Sequence, residues 1–417
     1  MTKPSILLLA RNYPFWVSTH KDGHKEPTRE LKAKHVSARL NRDLALDLTN
    51  DGWDVTIVSL GGTKGVTTVQ NDGQAKVIRV PVKQRNHYVG FLKIWFALYK
   101  TARSLARHDV ILSVSDTPFL AIAGARLAAQ KQSAHVHWCH EILPELWAFM
   151  GYKLPRALLS WLDDQQMKAL KVTDHIVVSG RCMKDHLIYR GINAEQITPI
   201  APWANADPGG AVKDDLLNDE SKAPRHIDPT ILFRVMYTGA ISGATPISPL
   251  LDAAMAITKE HKDIEFVFVG DGAAFEKISA LKARHGLDRI KLLPPAPLHH
   301  TATMMASGDV HIISLKPEAT GLTVPSSFYT AIAAHRPIVC IASPESEMGQ
   351  LMNEYPCGDI VPPDNINQLQ DYILKYRHDR HEWFNAHQAA IAAHIKFNHD
   401  TAREAWLRII KSSFRPI

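Results

Sequence analysis

Three short loops in this chain have the composition of anion cradles. Gly239-Ala-Ile-Ser242-Gly243, Gly270-Asp271-Gly272 and Gly321-Leu322-Thr323 each follow an apolar run of strand length. Glycine lets a backbone approach a phosphate closely, and the amides that open the next helix add N–H donors. The chemistry they point to is the holding of a phosphate-bearing ligand. A second reactive set, His135-x-His137-x-x-His140-Glu141, lies on and just after another apolar run. Alternate strand residues share a face and imidazole suits zinc, so a zinc site is one reading of these residues taken alone. No second ligand cluster of comparable quality accompanies it.

The elements that must position these groups repeat. From Glu265 to Ser343 a strand, a loop and a helix recur three times, with strands Phe266–Val269, Ile290–Leu293 and Val310–Leu315 and a further strand Pro337–Ile341. Short apolar runs separated by amphipathic helices imply parallel strands buried on both faces. Ligands bind such sheets at the carboxyl ends of the strands. The first half follows the same logic, with strands at 6–10, 54–60, 77–81, 110–114, 134–138, 175–178 and 197–200. A long loop from Asn12 to about Arg29 interrupts it, and loops of that length are often functional. Pro202 to Gly210 and the charged stretch to Pro229 break the pattern and read as a linker. The pattern restarts at Ile231, with Thr245 as cap and Pro246 as first residue of the next helix.

A chain of 417 residues is long for one core, so two doubly wound α/β domains facing each other across a cleft are expected. No apolar run reaches the roughly 20 residues that span a bilayer, and the start is too short for a signal sequence. Cys139, Cys182, Cys340 and Cys357 form no C-x-x-C pair and fit free thiols of a reducing compartment, so a cytoplasmic location is expected. Residues 1–200 carry 27 Lys and Arg against 17 Asp and Glu, whereas the remainder carries 21 against 25. The basic half is the one expected to face an anionic partner. No nucleic-acid motif is present.

Taken in order, these residues resemble the GT-B fold, retaining glycosyltransferases of the large family that builds bacterial surface polysaccharides, a family 4-like type. Phe268-Val-Gly270-Asp-Gly272, Leu293-Pro294-Pro295-Ala-Pro297, Asp309 to Leu315 and Gly321 through Val324-Pro325-Ser326-Ser327 to Arg336-Pro337 carry the likeness. Glu141-Ile-Leu-Pro144-Glu145 is similar to the Asp-Leu-Trp-Pro-Glu stretch of a subgroup acting on lipid-linked glycans, one with a Val-Pro-Ser-Lys type motif. The resemblance spans nearly the whole chain. It implies an acceptor-binding domain over 1–204 and a donor-binding domain over 205–397. A final helix within 398–417 would pack back on the first domain through Ala402, Trp406, Ile409 and Ile410.

The resemblance also implies roles. Negative charge grows on the diphosphate as it departs, and the family stabilises it with an Arg and a Lys in the first loop of the donor domain. That loop contains neither here, leaving Gly239, Ser242, Gly243 and the amides of Leu322 and Thr323 as donors, with Gly270, Asp271 and Pro294 lining the nucleotide. Of the family's paired glutamates, Glu318 matches the first, Thr330 stands at the second, and Ser327 replaces the motif lysine. Ser326, Ser327 and Thr330 are left for the ribose, or serve only as helix caps. His140 or Glu141 would face the donor sugar, either in contact with it or one layer behind. No metal or other cofactor is implied. The co-substrate would be a nucleotide-diphosphate sugar, and the acceptor a lipid-linked glycan or an oligosaccharide.

The stretch Phe91 to Arg107 has apolar residues at helical spacing and Lys93, Lys100 and Arg107 recurring along another face. It would suit either an anionic inner membrane leaflet or plain solvent. Two other functions share the architecture: a nucleotide-sugar 2-epimerase, and a catalytically silent nucleotide-sugar binder.

Overall fold

Branched and aromatic apolar runs form the strands because burial on both faces removes every side chain from water at once. In the computed structural model of the chain, Leu7, Leu8 and Leu9 are buried, as are Phe266, Val267 and Phe268. The structure describes residues 3–19, 28–32, 36–61, 65–82, 88–151, 154–204, 232–239, 241–245, 247–270, 273–295 and 301–414. The chain divides into two units: Met1–Trp147, Lys153–Ile200 and Ala402–Ile417 form the first, and Ala148–Tyr152 and Ala201–Thr401 the second. The expected linker lies mostly outside the described residues. Trp203 stacks on His399 at 5.3 Å between ring centres, which ties residues just beyond Ile200 to the second unit.

The first unit runs β1 (Ser5–Leu9), β2 (Phe15–Thr19), β3 (Thr28–Lys32), α1 (Val36–Asn50), β4 (Asp54–Leu60), β5 (Thr68–Asp72), β6 (Ala75–Val80), α2 (Tyr88–Ser104), β7 (Val110–Val114), α3 (Leu120–Lys131), β8 (Ala134–Cys139), α4 (Arg156–Lys171), β9 (His175–Val178), α5 (Arg181–Tyr189) and β10 (Ile197–Pro199). Its sheet has the order β10-β9-β8-β7-β1-β4-β6-β5, parallel except for β5, which pairs antiparallel with β6. Sequence pattern misses β5, since an edge strand alternating exposed and half-buried residues carries no apolar run. It also misses the antiparallel hairpin of β2 and β3 inside the supposed loop 12–29, which places Phe15 opposite Lys32. Arg107 lies beyond the end of α2, held by Asp109 at 3.0 Å and by the carbonyls of Lys131 and Gln132, so it is no part of that helix's basic face.

The second unit runs β11 (Phe233–Thr238), α6 (Ser248–Glu260), β12 (Ile264–Val269), α7 (Ala273–His285), β13 (Ile290–Leu293), α8 (Thr301–Ala306), β14 (Val310–Ser314), α9 (Ser326–Ala333), β15 (Ile338–Ile341), α10 (Glu347–Glu354), β16 (Gly358–Val361), α11 (Ile366–His378), α12 (Arg380–Lys396) and α13 (His399–Ser413). All strands of its β13-β12-β11-β14-β15-β16 sheet are parallel. Ser346, Asn365 and Asp379 cap α10, α11 and α12 by accepting an amide N–H three residues on. The expected cap at Thr245 is not used: α6 begins at Ser248, and Pro246 is outside the described residues. From Ala402 onward α13 belongs to the first unit, where Trp406 is buried 4.8 Å from the Trp138 ring.

Candidate functional site

Each sheet reverses its winding once. In the first unit the switch falls between β1 and β7, and in the second between β11 and β14. A crevice opens at such a point because the two connections leave in opposite directions, and ligands gather there. The two crevices are furnished differently.

In the second unit Gly239 leaves β11 at φ 142°, backbone closed to ordinary side chains. A Cβ there would stand 3.8 Å from Ser327 Oγ, so the turn after β11 and the start of α9 are adjacent. Gly270, after β12, packs against the same turn: a Cβ on it would meet the Phe275 ring at 2.5 Å and the Gly239 carbonyl at 2.9 Å. Its smallness thus serves internal packing. The Ser242 hydroxyl lies 3.0 Å from Thr245 Oγ1 and accepts the Ala244 amide, so the loop hydrogen-bonds itself into shape. Gly243 is also committed, because an added Cβ would run into the Phe149 carbonyl; a bulky residue there would disturb packing whether or not a ligand is bound. The Leu322 amide, expected to serve a phosphate, donates to the Ala319 carbonyl at 3.0 Å, and the Thr330 hydroxyl donates to the Ser326 carbonyl at 3.1 Å. Thr323 follows Leu322 in the loop, Pro294 is exposed after β13, and Asp271 is outside the described residues.

Sequence reading overlooked Lys316. Its amide donates to the Ala244 carbonyl at 2.8 Å, which stitches the loop after β14 to the glycine loop after β11. Lys316 lines a depression of about 520 Å³ with Ser248, Glu318 and Asp364. Glu318 is exposed there. The glycine loop has no cation of its own, and the backbone of Lys316 is joined to it although no local motif marks the contact.

In the first unit the switch-point crevice already holds an anion. Asp116, two residues past β7, accepts the amide of Arg11 on Oδ1 and that of Asn12 on Oδ2, both at 2.8 Å, with Asn41 Nδ2 at 3.4 Å. The carboxylate sits where a ligand phosphate would sit in a nucleotide-binding unit of this type. Burial pushes Asp116 up to about 7 against the pull of those amides. Asp116→Asn is expected to cost about 1–3 kcal/mol, since the amide NH2 would confront a backbone N–H that loses its acceptor. Urea titration at fixed pH measures it, and an unchanged midpoint would contradict this account.

Beside Asp116, Ser115 Oγ accepts the amides of His140 at 2.7 Å and Glu141 at 3.3 Å. The His140 ring lies 4.6 Å from Trp138 and 3.4 Å from Ser179 Oγ. Burial pushes His140 down to about 4 and Glu141 above the usual carboxylate range. Glu145 is drawn elsewhere, pairing with His186 at 2.9 Å and with Arg190.

The upstream histidines are engaged by hydroxyl groups. Thr173 Oγ1 donates to the Ala169 carbonyl, so it accepts from His135 Nδ1 at 3.0 Å. His135 Nε2 then bears no proton and accepts from the Ser113 hydroxyl, whose oxygen in turn accepts from the Nδ1–H of His137, each contact at 2.8 Å. Among the described residues no group of three His, Cys, Asp or Glu is arranged to hold a metal ion.

Two Rossmann-like units with mainly parallel sheets, each presenting its loops at a switch point, define the GT-B class. Residues 36–203 match the family described as Glycosyl transferase 4-like domain, and residues 233–379 match Glycosyl transferases group 1. WbjE of Pseudomonas aeruginosa, named as a glycosyltransferase, is 24% identical over 290 residues, which are 66% of this chain and 67% of that protein. WcaI of Escherichia coli, whose name assigns it to colanic acid biosynthesis, is 22% identical over 208 residues, 49% of each chain. The crystal structure of Anabaena HepE in complex with UDP and glucose superimposes with a TM-score of 0.67, covering 98% of this chain and 100% of that one at 16% identity.

Proposed function

We propose that this protein transfers a sugar from a nucleotide-diphosphate donor to a glycan or lipid-linked acceptor, with retention and without a metal ion, in surface polysaccharide assembly. The observation that carries the reading is the contrast between the two crevices. The first is filled by the carboxylate of Asp116, whereas in the second the loop carrying Lys316 is joined through its backbone to a glycine loop that holds no carboxylate. The donor diphosphate therefore binds in the second unit. Its UDP-bound structural neighbour and the name of WcaI support the donor class and the pathway.

In the reaction, an acceptor hydroxyl oxygen bonds to the anomeric carbon as the bond from that carbon to the diphosphate breaks. The electron pair leaves with the diphosphate, and the acceptor proton passes to a donor phosphate oxygen. Lys316 and the loop amides stabilise the growing charge, and Glu318 holds sugar hydroxyls. No helix among the described residues is long and apolar enough to cross a membrane. We place the enzyme at the cytoplasmic face, with the exposed Lys93, Lys100 and Arg103 of α2 toward anionic lipid.

A thermal-shift series with UDP, GDP, dTDP and CMP compounds tests the donor. One of them should raise the melting temperature, since a ligand at 100 times its Kd stabilises by about 2.7 kcal/mol. Mass spectrometry should then find sugar transferred to a lipid-linked acceptor pool. Epimerised donor from incubation without acceptor would overturn transfer in favour of a 2-epimerase, and binding with no turnover would indicate a silent relative.

A further inference from the structure

At the second unit's switch point, most of the polar groups expected to hold a phosphate are spent on the protein itself. Ser242 bonds within its own loop, the Leu322 amide is on the Ala319 carbonyl, and the Thr330 hydroxyl is on the Ser326 carbonyl. Two hydroxyls at the same edge of the sheet are not. Thr238 Oγ1 and Thr320 Oγ1 are shut off from water and have no hydrogen-bond partner among the described residues. A threonine hydroxyl can donate one hydrogen bond and accept two, so both groups stand wholly unused. Folded proteins rarely bury such a group unless something else completes it.

Their places in the fold agree. Thr238 ends β11, and Thr320 lies on the loop from β14 to α9, so they belong to the two neighbouring strands between which the winding reverses. Phe233, Val235 and Tyr237 of β11 pack into the core with α6 and α11, which turns Thr238 to the opposite face. The turn that follows it meets Ser327 of α9. A glycine at positive φ comes directly after each threonine, Gly239 at 142° and Gly321 at 80°, and the Lys316 amide joins the two loops through the Ala244 carbonyl. Glycine lets the peptide beyond each hydroxyl swing aside without side-chain strain, which gives a ligand access to it. Phosphate oxygens accept hydrogen bonds from hydroxyls, and their charge makes those bonds strong. We propose that Thr238 and Thr320 bind the diphosphate of the donor through their hydroxyls as these glycine turns open. This rests on the transfer reading for the seat of the donor in the second unit, and it gives neutral hydroxyls the binding of an anion that the loop after β11 has no cation to hold.

The test is calorimetry of the full chain with UDP, GDP and dTDP and with the matching nucleosides, on wild type, Thr238→Val and Thr320→Val. Valine keeps the shape of threonine and removes the hydroxyl. Each variant should bind the diphosphate that wild type binds about tenfold more weakly, with nucleoside affinity within about twofold. The empty variants should melt no lower than wild type, because an unsatisfied buried hydroxyl has given way to an apolar group of the same shape. Thr238→Ser and Thr320→Ser keep a hydroxyl and should keep most of the affinity. A purely structural role would instead lower the melting temperature. That result, unchanged diphosphate affinity in both valine variants, an equal loss for the nucleosides, or no diphosphate bound by wild type would overturn the proposal. The comparison reads affinity and not turnover, so diphosphate held by these hydroxyls with no sugar transferred would sink the transfer reading alone.

Discussion

His140→Ala combined with Glu141→Gln is expected to lower turnover in sugar transfer by about 10²-fold or more while nucleotide affinity stays within about threefold. Both residues sit at the carboxyl edge of the first unit's sheet with their amides clamped on one hydroxyl, Ser115 Oγ. The His140 ring rests on Trp138, which is backed by Trp406 of the last helix, so its orientation is set by packing. With His140 pushed down to about 4 the imidazole is neutral at pH 7, and burial pushes Glu141 above the usual carboxylate range. A neutral imidazole beside a carboxyl group suits orienting hydroxyls at the reacting centre. Steady-state kinetics separate the roles. A fall in kcat with nucleotide binding preserved marks groups that act on the reacting atoms, whereas unchanged kcat would remove them from the site.

The second large effect is loss of stability in acid. Burial holds His137 and His335 at about 3 and His311 at about 4, all below the ordinary imidazole value. His335 is held down further by His394, His387 and Arg336 around it. The unfolded chain takes up protons near pH 6.5 that the folded chain refuses, so unfolding is favoured as pH falls from about 6.5 toward 4. Each such histidine contributes up to about 1.4 kcal/mol per pH unit in that window, and a few of them rival the whole stability of a domain. Asp116 acts in the opposite sense: its pKa is raised to about 7, so its contribution is present at low pH and is lost as pH rises through about 7. The sum should favour neutral pH, with cooperative unfolding below about pH 5. Circular dichroism from pH 8 to 4 measures it. His335→Asn should flatten the slope by about one proton, and a melting temperature independent of pH between 7 and 5 would refute the argument.

Local chemistry was legible in the chain before folding. Apolar runs at 110–114 and 264–269 announce strands because burial on both faces demands them, and Gly239 and Gly321 mark turns with positive φ that only their own backbones need. The histidine run was legible as a group and misleading as chemistry. Spacing puts His135 and His137 on one face, but hydroxyls from Ser113 and Thr173, distant in sequence, decide which ring nitrogens carry protons.

What needed the tertiary structure were contacts across long stretches of chain. Asp116 reaches amides about a hundred residues earlier, and that reach turns one of two similar crevices from a phosphate site into a closed one. Lys316 meets the glycine loop through a single backbone hydrogen bond to Ala244, and no pattern around position 316 foretells it. Periodicity and glycine placement are properties of neighbours along the chain, so the local sequence determined the buried parallel strands, their turns and the two-unit plan, but not the edge strand β5 or the β2–β3 hairpin. Charge complementarity at a sheet edge depends on which strands lie side by side, and strand order is set only when the whole sheet assembles.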